Sequence, residues 1–191
     1  MSGGYVANAG GFLLDVAFGL YIGAVMLRLF LQWTRADFYN PLSQAIVRLT
    51  NPVLRPLRRH VPAIGRIDTA SVLVVFALQL ANLWLKLLLG GLAGGAAGLV
   101  VLAGAELLAK ACYLFTCAIL LLVIASWVAP GARNPVLSLV EALTWPLLKP
   151  LRGLLPVLGG LDLSPMAALV LIQLGQMLVV APLRDFAAAL L

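Results

Sequence analysis

Four long apolar runs divide the chain, near residues 12–33, 69–89, 105–128 and 165–183, and each is long enough for the helix of about 20 residues that a hydrocarbon core requires. Between the first two runs, and again between the last two, the pattern changes: aliphatic residues are interleaved with arginine, lysine and proline over 40–62 and 134–156. These stretches are too short and too charged to span. In the first, Leu42, Ala45, Ile46 and Leu49 fall on one helical face and Gln44 and Arg48 on another, which predicts an amphipathic helix lying at the membrane interface. A shallow re-entrant hairpin is the alternative, and it requires neighbouring groups to satisfy the backbone that proline frees.

The two halves of the pattern are copies at a constant offset of 94 residues. Trp33 matches Trp127, Asn40 and Pro41 match Asn134 and Pro135, and Thr50 matches Thr144. Pro52 and Pro56 match Pro146 and Pro150, Arg58 matches Arg152, and Pro62, Gly65, Asp68 and Gln79 match Pro156, Gly159, Asp162 and Gln173. The chain therefore divides into repeat 1, residues 1–94, and repeat 2, residues 95–191. Each copy has two spans, so both enter the membrane in the same direction and are related about an axis along the membrane normal. The predicted fold is an all-α membrane protein: four transmembrane helices as two parallel-oriented repeats, with two proline-broken amphipathic elements, in a pseudo-twofold bundle.

Within each copy the matched residues have readable duties. Asn40 and Asn134 suit helix caps, with Pro41 and Pro135 at the first helical position, where a missing N–H costs nothing. Pro52, Pro56, Pro146 and Pro150 are expected to break, bend or restart the helix they enter. Asp68 and Asp162 stand just before a span, where a carboxylate caps free N–H groups; capping alone is the favoured reading, with a tie to Arg58 and Arg152 as the alternative. Trp33 and Trp127 read as interfacial anchors, and Arg28 as a side chain that snorkels to the same boundary.

Composition agrees: of 191 residues, 63% are hydrophobic and 10% charged, with a mean hydropathy of +1.07, so the chain reads as an integral membrane protein. The net charge of +6 is uneven. Arg35, Arg48, Arg55, Arg58, Arg59 and Arg66 lie between the first two spans, and Arg133, Lys149 and Arg152 between the last two. Under the positive-inside rule these segments face the cytoplasm and both termini lie opposite. Anionic headgroups are their nearest partner, with Arg55, Arg58, Arg59, Lys149 and Arg152 as the contact residues; no nucleic acid is expected. The first residues carry no Lys or Arg, so the first span is expected to be retained rather than cleaved as a signal peptide.

Chemistry inside the spans is sparse. Gln79 and Asn82 correspond to Gln173 and Gln176, each pair sharing a helix face near the midplane; four amides would converge if the second and fourth spans faced each other. Interhelical hydrogen bonding is their first reading and a polar path for an ion or osmolyte the second. Glu106 and Lys110, four apart, read as a mutually neutralising pair. Gly19 and Gly23 suggest close helix approach or dimerisation, the glycine-rich stretch 90–98 a flexible hairpin with close packing as the alternative, and Cys112 and Cys117, about 140° apart around a helix, two buried thiols. The single histidine, His60, leaves a zinc or haem site without ligands, so no metal, cofactor or enzyme activity is expected.

The doubled signature of NP, then P-x-L-[RK]-P-L-R, then P and G-x-x-D, after a Trp that closes the preceding span, resembles the YggT family of small bacterial membrane proteins, related to the YlmG proteins. The likeness covers nearly the whole chain, with Asn51 against Trp145 and Ser71 against Pro165 as departures in repeat 1. The resemblance implies the bacterial inner membrane and links to osmotic stress, cell division and envelope organisation. The expected function is a non-enzymatic scaffold or assembly factor that binds anionic lipid and a membrane-protein partner or second copy. A channel or transport component for potassium or a small osmolyte, using the amide cluster, is the alternative.

Overall fold

The computed structural model describes residues 2–65, 67–91, 94–129, 131, 134–155 and 162–191. Arg66, Arg133, Pro156 and Gly159, which the repeat pattern singled out, lie outside the described residues. Helix α1 (Ser2–Trp33) leads to a shorter α2 (Pro41–Leu57) and to α3 (Thr69–Leu89). The second half repeats the order with α4 (Ala96–Val128), α5 (Pro135–Leu154) and α6 (Ser164–Gly175). A five-residue π-helical segment, Gln176–Val180, joins α6 to α7 (Ala181–Leu190), so that Ser164–Leu190 forms one rod. The Ala181 amide reaches back to the Gln176 carbonyl in a widened turn, one residue before Pro182, which has no N–H to continue the α-pattern.

Four helices, Asn8–Trp33, Thr69–Leu89, Ala96–Val128 and Ser164–Leu190, are long and apolar enough to cross a membrane, and large aliphatic side chains lie exposed along them, as a lipid solvent favours. The protein is a multi-pass membrane protein of the all-α class read from sequence. The third and fourth spans are longer than the apolar runs suggested, because alanine and glycine extend the helices beyond the leucine-rich centres.

The amphipathic helices start as expected. Asn40 Oδ1 accepts the Leu42 amide at 2.9 Å and Asn134 Oδ1 accepts the Leu137 amide at 2.8 Å, each just before a proline at the first helical position. They do not end at their internal prolines. Pro52 and Pro56 lie inside α2, and Pro146 and Pro150 inside α5. In α2 both prolines, with Arg48 in the same row, are exposed, so the unpaired carbonyls open outward rather than into packed protein.

The core is also written twice. Val25, Leu54 and Val74 are buried together in repeat 1, and their counterparts Ile119, Leu148 and Ala168 are buried together in repeat 2. Each repeat packs its first span on its second, with the amphipathic helix wedged beneath. The junction between repeats is not a closed twofold. Helix α3 packs on α4, but among the described residues neither α6 nor α7 touches α1. Leu107, Ala111 and Leu114 of α4 therefore seal the repeat 1 core, whereas their counterparts Leu13, Ala17 and Leu20 of α1 stand exposed. Between α2 and α5, Asn40 Nδ2 donates to the Pro135 carbonyl at 2.6 Å and to Ser138 Oγ at 3.2 Å.

Within the glycine-rich stretch, Gly95 and Gly98 are packed rather than free. The Gly95 amide donates to the Leu191 carbonyl at 3.3 Å, and a Cβ on Gly98 would stand 2.8 Å from the Leu191 backbone nitrogen. By contrast, added Cβ atoms on Gly19 and Gly23 would meet nothing within 4 Å, so that pair mediates no close approach within the chain.

Candidate functional site

The chemistry gathers at the end of the bundle where α2 and α5 lie. Arg58 caps α2 and gives its Nε and Nη2 to Asp68 Oδ2, while Ser71 Oγ donates to the same oxygen. Arg152 Nε donates to Asp162 Oδ2 at 2.9 Å, and Asp162 Oδ1 accepts the Ser164 amide at 2.9 Å. The tie is therefore present in both copies, across the same ten residues, and Asp162 also accepts a backbone amide at the start of its span. The two ties differ in solvent access: the Asp68 side chain is 3% exposed and that of Asp162 37%. Burial pushes both carboxyls upward, but the hydrogen bonds and the arginine charge outweigh it and hold both below the usual carboxylate value.

Helix α2 presents three faces. Ser43, Thr50 and Leu54 are buried against the spans; Leu42, Leu49 and Val53 point outward; Arg48 and Arg55 are exposed along a third stripe, with Arg59 exposed in the turn just past the helix end. At 100° per residue, the outward apolar residues and the arginines each fall within about 40°, and the two stripes lie about a third of a turn apart. The apolar face expected from Leu42, Ala45, Ile46 and Leu49 is thus mostly the outward one, because Thr50 and Ser43 take the inner positions by bonding to the Ile46 and Asp37 carbonyls. In α5, Lys149 and Arg152 lie 5.8 and 6.0 Å from the ring centre of the half-exposed Trp145. Trp33 and Trp127 both stand exposed at the ends of α1 and α4.

Arg28 does not snorkel outward. It is 7% exposed and turns into α2, donating through Nη1 to Thr50 Oγ1 at 2.6 Å, Asn51 Oδ1 at 3.0 Å and the Val47 carbonyl at 3.4 Å. The α2 helix passes close enough to offer three acceptors, which a solvent path need not match. Arg28, Arg35 and Arg58 line a crevice of about 380 Å³ between α1 and α2. The corresponding crevice in repeat 2, about 590 Å³, is lined by Leu122, Ala129, Glu141, Trp145 and Arg152 among others.

The four amides do not converge. Gln79 and Asn82 are buried, at 1% and 2%, but Gln173 is exposed and Gln176 half-buried, since among the described residues α3 and α6 do not touch. Asn82 instead donates to Asp15 Oδ1 at 3.1 Å, beside an Asp15–Lys86 ion pair of 2.8 Å. Glu106 pairs with Arg184 of α7 at 2.9 Å rather than with Lys110. The sequence reading passed over Asp15, Lys86 and Arg184; the signal available was a lone acid in the first apolar run and a lysine one turn beyond Asn82. Cys117 is exposed rather than buried, and Cys112 is half-buried. His60 is exposed with its ring nitrogen near the Pro56 carbonyl, and no group of three or more metal-ligating residues occurs among the described residues.

Comparison with known proteins gives a consistent answer. The CCB3/YggT family model matches twice, over residues 7–89 and 101–183. An uncharacterised protein of Pseudomonas aeruginosa is 46% identical over 88% of this chain and 87% of its own length. An uncharacterised protein of Vibrio alginolyticus is 39% identical over 90% and 93%, and the uncharacterised protein YggT of Escherichia coli K12 is 40% identical over 84% of each chain. No solved structure matches. With both copies matched and relatives aligned across most of their length, the chain belongs to the CCB3/YggT family.

Proposed function

We propose that the protein is a non-enzymatic scaffold or assembly factor of the bacterial inner membrane, whose α2 and α5 lie in the cytoplasmic interface and hold anionic lipid headgroups beside a protein partner. The observation that carries this reading is the three-faced α2: one stripe packs on the spans, a second offers Leu42, Leu49 and Val53 to acyl chains, and a third offers Arg48 and Arg55, with Arg59 just past the helix end, to phosphates. Positive charge at this end supports a cytoplasmic orientation with both termini opposite. Of the five basic residues expected to meet headgroups, Arg55, Arg59 and Lys149 are exposed and outside the ion pairs of the described residues, whereas Arg58 and Arg152 are committed to aspartates. Family links to envelope organisation, division and osmotic stress fit a protein that organises its surroundings.

The test is to replace Arg55, Arg59 and Lys149 together with Gln and reconstitute the protein beside wild type in vesicles with and without phosphatidylglycerol. Lateral co-clustering of the labelled lipid with the protein should drop for the variant. Equal enrichment of the anionic lipid around both proteins would refute the reading.

A further inference from the structure

The crevice between α1 and α2 is a place where positive charge exceeds what the chain itself neutralises. Arg28 sits within the first span, almost fully buried, and its three bonds run to neutral acceptors on α2. Among the described residues it forms no ion pair, and neither does Arg35, which follows α1 in the left-handed conformation at φ 56°. Asp68 is the acid that meets Arg58 here, and its carboxylate is already shared between Arg58 and Ser71. Asp37, two residues beyond Arg35, accepts the Tyr39 amide through Oδ1. Among the described residues the crevice lining holds three guanidinium groups and no carboxylate, and Asp68 reaches it only through Arg58. A buried cation at membrane depth is costly unless an anion joins it.

We propose that this crevice is a binding site for one phosphate group, held by Arg28, Arg35 and the outer edge of Arg58. Arginine suits this because its planar fork matches phosphate oxygens, and a partly dehydrated site strengthens each charge-assisted bond. Leu31, Phe38, Ile46 and Val47 line the same crevice, so a phosphate carrying an apolar body fits it. The idea rests on the basic end meeting headgroups, as argued above, and narrows that contact to one stoichiometric site in repeat 1. The second repeat supplies a natural contrast: Leu122, Ala129 and Glu141 stand where Arg28, Arg35 and Val47 stand in the first, leaving Arg152 beside an added acid. The site belongs to one copy only.

Native mass spectrometry of the detergent-purified full chain, titrated with phosphatidylglycerol and with phosphatidylcholine, tests this. Wild type should retain a single phosphatidylglycerol that phosphatidylcholine does not replace. Arg28→Leu, which copies the second repeat, and Arg35→Asn, which suits the left-handed backbone at an exposed position, should each weaken that adduct about tenfold, the worth of one charge-assisted bond. Arg35→Asn keeps the experiment decisive if Arg28→Leu fails to fold. A parallel arm adds inorganic phosphate and follows the melting temperature. A rise that depends on Arg35, with displacement of the lipid, identifies a soluble phosphate as the occupant; no rise with the lipid adduct intact identifies the headgroup.

The proposal is overturned if wild type shows neither a single-lipid adduct nor a phosphate-induced rise, or if both variants bind as wild type does. The Arg55, Arg59 and Lys149 triple variant separates the two ideas. It should keep the adduct while losing lateral enrichment, whereas unchanged enrichment with an Arg35-dependent adduct sinks the surface reading and leaves the site standing.

Discussion

In repeat 1 Arg28 crosses from α1 to grip Thr50 and Asn51 of α2, and at the matching place in repeat 2 stands Leu122, with Thr144 bonding back only to its own helix and Trp145 turned outward under Lys149 and Arg152. The same backbone plan is thus fastened by a buried polar lock in one copy and by an apolar contact with an aromatic rim in the other. The Arg–Asp tie follows suit, buried at Asp68 and half in solvent at Asp162. The lesson is that what the two copies share is the path of the chain, while the strength of each fastening follows its local burial.

That contrast is open to direct attack. The largest difference should come from removing the two aspartates. Asp68→Ala leaves Ser71 buried without its acceptor and Arg58 without its counter-charge, and should cost about 2 kcal/mol in unfolding stability in detergent, discounted because Arg58 is partly exposed. Asp162→Ala should cost under about 1 kcal/mol by the same measurement. Equal losses would show that burial does not separate the copies.

Titration should reveal the same asymmetry. Both carboxyls lie below the ordinary value of 3.8, so each tie contributes fully above that value and loses its contribution as the pH falls through the folded-state value. Thermal unfolding in detergent across acid pH should therefore show stability falling below pH 3.8, and Asp68→Asn should flatten that fall more than Asp162→Asn.

A smaller effect is expected at the paired threonines. Thr50→Val takes from Arg28 its shortest bond and should destabilise by about 1.5 kcal/mol, while Thr144→Val should change stability by no more than about 0.5 kcal/mol. Calorimetry of the two variants side by side reads the difference. The smallest is Trp145→Ala, which removes a half-exposed ring from beside two cations and should cost about 0.5 kcal/mol.

Much of the architecture was legible because it is set by period and length. Apolar run length marks the spans, and a constant offset marks the copies, so Val25 and Ile119 or Leu54 and Leu148 fall into equivalent cores. What was not legible is azimuth. The offset places Gln79 and Gln173 at equal depth, but which helix each faces depends on how the repeats are rotated, and that rotation is set by α3 on α4 and by α1 and α2 on α5, with no contact of α6 or α7 on α1 among the described residues. Arg28 misled for a related reason: snorkelling is the rule for a lone cation near a span end, and only the passage of α2 beside it supplies competing acceptors. Of the break, bend or restart expected at the prolines, a break does not occur in α2, where the proline penalty is smaller along an exposed row than in a packed interior.

The ten-residue separation of Arg58 from Asp68 also bears on time. A loop of that length closes within about 10–100 ns, far faster than a ribosome adds the next residue at about 5–20 per second. The clasp between the amphipathic helix and the second span therefore needs no residue of repeat 2, and it can fasten within the time of a single residue addition once both partners are free to meet.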